Sequence, residues 1–214
     1  MRIVPFALLI NHALRYVIDT TSRFHIDESH GLKHSLEVFH YAKDIYDYQV
    51  VQYPFLENQK EIIFVSAILH DMCDKKYMNQ KNGVSMIKEH MKGYLDQVQL
   101  NMVDEIISTM SYSTVKKNGY PDLGKYQMAY HIVREADLLS AYDLDRCLIY
   151  SIINEKLDYE NAVKRVIDVT KNRMLKYRSD NLFITNYSKA LSFQLHKKAL
   201  KKLKTFEDMV EKLY

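Results

Sequence analysis

Apolar residues recur at three- and four-residue spacing along almost the whole chain, the period of a helix with one buried face. The pattern predicts helices over about 3–22, 31–50, 59–72, 84–112, 126–156, 158–178 and 185–213. Between them stand residues with turn chemistry: Asp27-Glu28-Ser29-His30-Gly31, Tyr53-Pro54, Asn82-Gly83, Asn118-Gly119-Tyr120-Pro121-Asp122 and Ser179-Asp180-Asn181. Ser29 is placed to cap the helix that carries His34. No segment alternates with the two-residue period of a strand between turn signals, and there is no repeat, low-complexity tract or linker. The expected fold is all-α, a single-domain helical bundle over 1–214, with an N-terminal helix in 1–24 and a C-terminal helix in 185–214 packed on it.

Composition narrows the field. A chain of 214 residues suits one well-buried core, and only five glycines and three prolines count against an all-β or disordered chain. Neither GxxxxGK[ST] nor GxGxxG occurs, which removes P-loop and dinucleotide-binding readings. Two cysteines, Cys73 and Cys147, make no disulfide framework and fit a reducing compartment, so the expected location is cytoplasmic. The net charge of +3 gives no electrostatic reason to expect nucleic acid as the main partner. Lys197, Lys198, Lys201, Lys202 and Lys204 read as a solvated helix face, with Leu200, Leu203 and Phe206 as its buried side; a nucleic-acid or partner surface is the alternative there. No stretch approaches the ~20 apolar residues of a membrane span. The start, Met1-Arg2 followed by Ile3 to Ile10, lacks a small-x-small cleavage site and reads as an amphipathic first helix.

One dipeptide breaks the pattern. The run Ile62-Ile63-Phe64-Val65-Ser66-Ala67-Ile68-Leu69 is apolar enough to be a buried helix, yet it ends on His70-Asp71. Burying even one unpartnered polar group costs roughly 2–7 kcal/mol, and a divalent cation satisfies an imidazole and a carboxylate together. Two more residues share this character. His34 lies one turn into its helix, with Leu36, Val38, Phe39 and Ala42 marking the buried side. Asp137 stands in the apolar run Ala136-Asp137-Leu138-Leu139, where an ion pair with Arg134 or a cap role competes with the ligand reading. The four residues, on three helices, make a mixed nitrogen/oxygen set that favours Mn, Fe, Co, Ni, Zn or Mg over a thiolate-bound structural zinc. Four protein ligands leave room on an octahedral ion for water and a phosphate oxygen, as metal-assisted hydrolysis requires. His12, His25, His40, His131 and His196 lack a second ligand at helical spacing and read as ordinary histidines. His90, flanked by charge, reads as exposed rather than as a ligand to a second metal.

The order H…HD…D resembles the HD-domain superfamily of metal-dependent phosphohydrolases, in its small single-domain, nucleotide-hydrolase-like branch. The resemblance rests on Ser29-His30-Gly31-Leu32-Lys33-His34-Ser35-Leu36-Glu37-Val38, on Leu69-His70-Asp71-Met72-Cys73-Asp74-Lys75-Lys76-Tyr77, and on Arg134-Glu135-Ala136-Asp137-Leu138-Leu139-Ser140-Ala141. Ile106 to Ser113 lies where small members carry an "IxxHSFS" segment, and the tail Arg173-Met174-Leu175…Thr185-Asn186-Tyr187-Ser188 also looks like theirs; the similarity covers roughly 25–195. It implies a helical bundle of the HD-domain type, a divalent metal held by His34, His70, Asp71 and Asp137, and hydrolysis of a phosphate ester or anhydride. It further implies that Asp74 activates water or protonates the leaving group. Lys76 would meet a phosphate oxygen, and His30 would orient His34 or touch substrate. Local caps, and solvated loop positions for Lys75 and Lys76, are the competing readings of these residues.

Three positions depart from the family pattern: Glu37 for an arginine, Met110 for the histidine of "HSFS", and Ser140 for an acid. None is a primary ligand. Loss of histidine at 110 argues against the two-metal cyclic-dinucleotide branch, and Lys75 after Asp74 weakens a guanosine-tetraphosphate reading. The expected activity is hydrolysis of a phosphomonoester or pyrophosphate bond in a nucleotide or similar small phosphate. The alternative is a non-catalytic module that binds a metal and a nucleotide or protein partner.

Overall fold

The computed structural model describes residues 5–211. Ten α-helices and no β-strand form among them. They are α1 (Phe6–Phe24), α2 (Leu32–Gln52), α3 (Lys60–Leu69), α4 (Gln80–Met91), α5 (Gln97–Thr109), α6 (Tyr112–Asn118), α7 (Gln127–Ser140), α8 (Leu144–Ile153), α9 (Tyr159–Asn172) and α10 (Asn186–Glu211).

The bundle is organised around α3. Every residue from Ile62 to Leu69 is buried, so this helix has no polar face and must be covered on all sides. Packing of α1, α2, α5 and α7 around it supplies that cover. The most extensive helix pair is α2 with α7, which brings His34 and Asp137 towards the end of α3. A second layer, α8 and α9 with α10 across α9 and α7, closes the other side. No helix of the described residues is long and apolar enough to cross a membrane.

The structure divides the long predicted helices at points with clear local causes. The 84–112 stretch becomes α4 and α5, because Gly93 takes a left-handed φ of 87° and Asp96 starts a new helix with a reciprocal Asp96/Gln99 capping box. The 126–156 stretch breaks where the Asp143 carboxylate accepts from the Asp145 amide and restarts the chain as α8. Residues 112–118, of which the pattern assigns only Tyr112 to a helix end and Asn118 to a turn, form the short α6, capped by Ser111. Past Asn172 the 158–178 stretch tightens into a 3₁₀ turn at Met174–Lys176.

Two turn assignments are corrected. Gly31, not Ser29, is the N-cap of α2, and it offers no side chain; the Ser29 hydroxyl turns to the His30 ring instead. Asn82-Gly83 is no turn but lies in the first turn of α4, which Asn79 caps by accepting from the Asn82 amide at 3.1 Å. Gly83 is there for close approach. A Cβ on it would lie 2.8 Å from both Cys73 Cβ and Met78 Sδ, so α4 can press directly onto the turn that follows α3.

The buried carboxylate of Glu135 places α10. It accepts from the Ile184 amide at 2.6 Å and from the Thr185 hydroxyl at 2.7 Å. That fixes the segment entering the last helix. Residues 1–4 and 212–214, which include the ends of the first and last predicted helices, lie outside the described residues.

Candidate metal centre

Where α3 ends, the chain does not continue as a helix. The Met72 amide donates to the Leu69 carbonyl at 2.9 Å and the Asp74 amide to the Asp71 carbonyl at 3.2 Å, making a tight turn over 69–74. The turn projects His70 and Asp71 to the same side. From α2, His34 arrives with its ring 4.9 Å from that of His70, edge to face. From α7 comes Asp137.

The four side chains converge. The Nε2 atoms of His34 and His70 are 3.0 Å apart. Asp71 Oδ2 lies 3.2 Å from the first and 3.3 Å from the second. Asp137 Oδ1 lies 3.6 and 3.8 Å from the same two nitrogens. His34, His70 and Asp137 offer ligand atoms all within 4.8 Å of one another, a group that could hold a metal ion. The spacing fits an ion at the centre: ligand–ligand edges are about 3.0 Å around an octahedral ion with ~2.1 Å bonds and about 3.4 Å around a tetrahedral one.

The electrostatics point the same way. Burial and the nearby Arg146 guanidinium push His34 down to about 4 against the pull of Asp71, so its imidazole is neutral. Burial also disfavours charge on His70, but Asp71, Asp137 and the Ala67 carbonyl outweigh it and lift His70 to about 9. For Asp71 and Asp137 burial opposes ionisation, yet the histidines, joined at Asp137 by Arg146, hold both carboxyls below the usual range. The His70 Nδ1–H donates to the Ala67 carbonyl at 2.9 Å, which presents Nε2 to the cluster, the usual second contact of a ligating histidine.

The ion pair expected as the competing role of Asp137 does not form. Arg134 is buried, lies 3.5 Å from Glu135 and donates to the Leu182 carbonyl. Asp137 also serves as no helix cap: the Asp137 carbonyl, not its carboxylate, takes the Ser140 hydroxyl at 2.8 Å.

The cluster opens into a cleft of about 380 Å³ lined by the 70–76 turn, α6, α7, α8 and α9. Asp74, Lys76 and His30 stand in it together. Asp74 does not share a helical face with Asp71, since the helix has ended; its carboxylate accepts from the Lys76 amide at 2.9 Å and lies 3.4 Å from the Lys76 ammonium. The Lys76 ammonium, which can only donate, reaches His30 Nε2 at 3.0 Å. The His30 proton is therefore on Nδ1, 2.7 Å from Ser29 Oγ and 3.1 Å from Tyr77 OH, which in turn donates to Asp27 at 3.3 Å. Burial drives His30 down to about 3, which keeps this ring neutral.

Arg146 escaped the sequence reading. It stands near the start of α8 with Nη1 against the His34 ring and lines the cleft. Its signal was an arginine in Leu144-Asp145-Arg146-Cys147-Leu148-Ile149, masked by the acid beside it. The other histidines stay away from the cluster. His90 is half-buried rather than exposed: it stacks on His12 with ring centroids 3.9 Å apart, and each ring bonds the other's backbone carbonyl. His131 is buried, and His25 and His40 are exposed.

No protein-family model, no curated protein and no solved structure matches this chain.

Proposed function

We propose that this protein is a metal-dependent phosphohydrolase acting on a small phosphorylated substrate, with His34, His70, Asp71 and Asp137 holding one divalent cation. The observation that carries the reading is the convergence of two imidazole Nε2 atoms 3.0 Å apart with the Asp71 carboxylate 3.2–3.3 Å from both, at the floor of a cleft. The order of the H…HD…D residues and their likeness to the HD-domain superfamily support it. Nitrogen/oxygen donors of this kind suit Mn, Co, Ni, Fe, Zn or Mg. When bound, such an ion acidifies water and neutralises phosphate charge.

The chain's own residues then have distinct tasks. Arg146 and Lys76 line the cleft as cations able to meet phosphate oxygens. Asp74 and the Lys76–His30–Tyr77–Asp27 hydrogen-bonded line offer two ways to move a proton: the carboxylate accepts one from attacking water, and the Lys76 ammonium supplies one to the leaving oxygen with His30 positioning it. At position 37, where the family carries arginine, burial raises the Glu37 carboxyl while Arg146 is the leading cation opposing that rise.

The test is a screen of nucleoside mono-, di- and triphosphates, and simple phosphomonoesters, with each of Mn, Co, Ni, Zn and Mg. Metal-dependent phosphate release that Asp71→Ala abolishes is expected. Absence of turnover with every metal, or full activity in Asp71→Ala, overturns the proposal. The engagement of the Asp74 carboxylate by Lys76 favours a second reading, a non-catalytic module that binds metal and a nucleotide or protein partner; it predicts saturable, metal-dependent ligand binding with no product.

A further inference from the structure

Two of the cations along the cleft are already paired with carboxylates, Lys76 at 3.4 Å from Asp74 and Arg165 at 3.2 Å from Glu155, and Arg146 stands against the His34 ring at the His/Asp cluster. Arg173 is held in another way. No carboxylate among the described residues comes within ion-pair distance of it, and its contacts fix its direction rather than cancel its charge. Its Nε donates to the hydroxyl of the fully buried Tyr177 at 2.9 Å, and its guanidinium carbon lies 4.6 Å over the Tyr112 ring. The guanidinium is thereby held over an aromatic face with its two terminal nitrogens still available, the fork that meets a carboxylate or phosphate bidentately.

A second observation belongs to the same place. The Tyr112 hydroxyl is buried and has no hydrogen-bond partner, which a protein interior rarely leaves so. Tyr112, Arg173 and Tyr177 all line the cleft that holds His70, Asp71 and Asp137. Met110, Cys147, Val169 and Met174 line it as well, an apolar surface suited to the carbon frame of a ligand.

We infer that Arg173, set by Tyr112 and Tyr177, forms a second oxyanion subsite, and that the substrate carries two separate anionic groups. One is the phosphoryl group at the His/Asp cluster; the other is a phosphoryl or carboxylate group held by Arg173. This rests on the phosphohydrolase reading for the first group only.

Calorimetry on the full-length protein, with and without Mn²⁺, tests it using phenylphosphonate, ω-carboxyalkylphosphonates and α,ω-alkane bisphosphonates of three to six carbons, each corrected by a metal-only blank. A second anion of matching reach is expected to strengthen binding at least tenfold over phenylphosphonate. Arg173→Gln removes that gain and confines its loss to the two-anion ligands, while Arg173→Lys, which keeps charge but not the fork, retains only part of it. The better of the carboxylate and phosphonate series names the second group. Equal binding of one-anion and two-anion ligands by the wild type, or an equal loss of both in Arg173→Gln with unchanged melting, overturns the inference. If Mn²⁺ and Asp71→Asn leave phenylphosphonate binding unchanged while the Arg173-dependent gain persists, the phosphohydrolase reading fails and the second subsite stands.

Discussion

Metal binding at this site should release one proton, and the structure says which one. In the metal-free protein Asp71 and Asp137 overcome burial and hold His70 as imidazolium up to about 9, against an ordinary value of 6.5. At pH 7 the protonated form therefore exceeds the neutral form by about a hundredfold. His34, near 4, contributes no proton. A divalent ion must take the Nε2 lone pair of His70, so its binding displaces that proton. Titrating Mn²⁺ into the protein at pH 7 in buffers of different ionisation enthalpy should give close to one proton released per ion. The association constant should climb about tenfold per pH unit from pH 6 and level off near 9. The same shift stabilises the metal-free fold. A folded-state value raised above the unfolded one contributes in full below about 6.5 and is lost as the pH rises through about 9, a change of about 3 kcal/mol. Urea unfolding of the metal-free protein should accordingly weaken between pH 6.5 and 9, and the metal-loaded protein should not follow it. Affinity that is flat across this range, with no proton released, would refute the electrostatic account of the site.

Removing either carboxylate attacks the site directly. Asp71→Asn or Asp137→Asn should weaken Mn²⁺ binding by roughly 100-fold or more, beyond the 10–100-fold typical of residues that only support a ligand; equilibrium dialysis measures it. Gly83→Ala puts a methyl 2.8 Å from Cys73 Cβ and Met78 Sδ and should cost about 1–3 kcal/mol in urea unfolding, because the opposing turn is backbone-anchored and cannot yield freely. Glu135→Gln replaces an acceptor-only carboxylate that holds the Ile184 amide and the Thr185 hydroxyl; a loss of about 3 kcal/mol, with faster hydrogen exchange at the start of α10, is the expected result.

Much of the helical layout is legible in periodicity, since each helix except α3 and α7 buries one stripe and exposes another. Its interruptions are less so, and each failure has a local cause. Asp96 and Asp143 restart helices through side-chain bonds to amides two or three residues on, a choice that period-counting does not register. Asn82-Gly83 misleads in the opposite direction. The dipeptide has turn chemistry, but the glycine answers to Cys73 and Met78 across a helix contact, and such a contact leaves no mark near position 83 itself.

The candidate metal cluster is readable for a different reason: buried charge is conspicuous in an apolar run. The difficulty lies in deciding which buried charges are spoken for. Arg134, Glu135 and Asp137 sit within four positions of one another on α7, and sequence spacing allows any of several pairings. Packing resolves them. Glu135 turns to α10 and, with the Leu182 carbonyl, takes up Arg134, so Asp137 is left facing Asp71 and two imidazoles. With His70 protonated and His34 neutral, that group of four carries a net charge of −1. Arg146, against the His34 ring and acting on Asp137, already offsets that charge from within the chain, and exchanging the proton for a divalent ion adds one further positive charge. The convergence of two imidazole nitrogens and two carboxylates on one point, more than any residual charge, is what favours a cation from outside the chain.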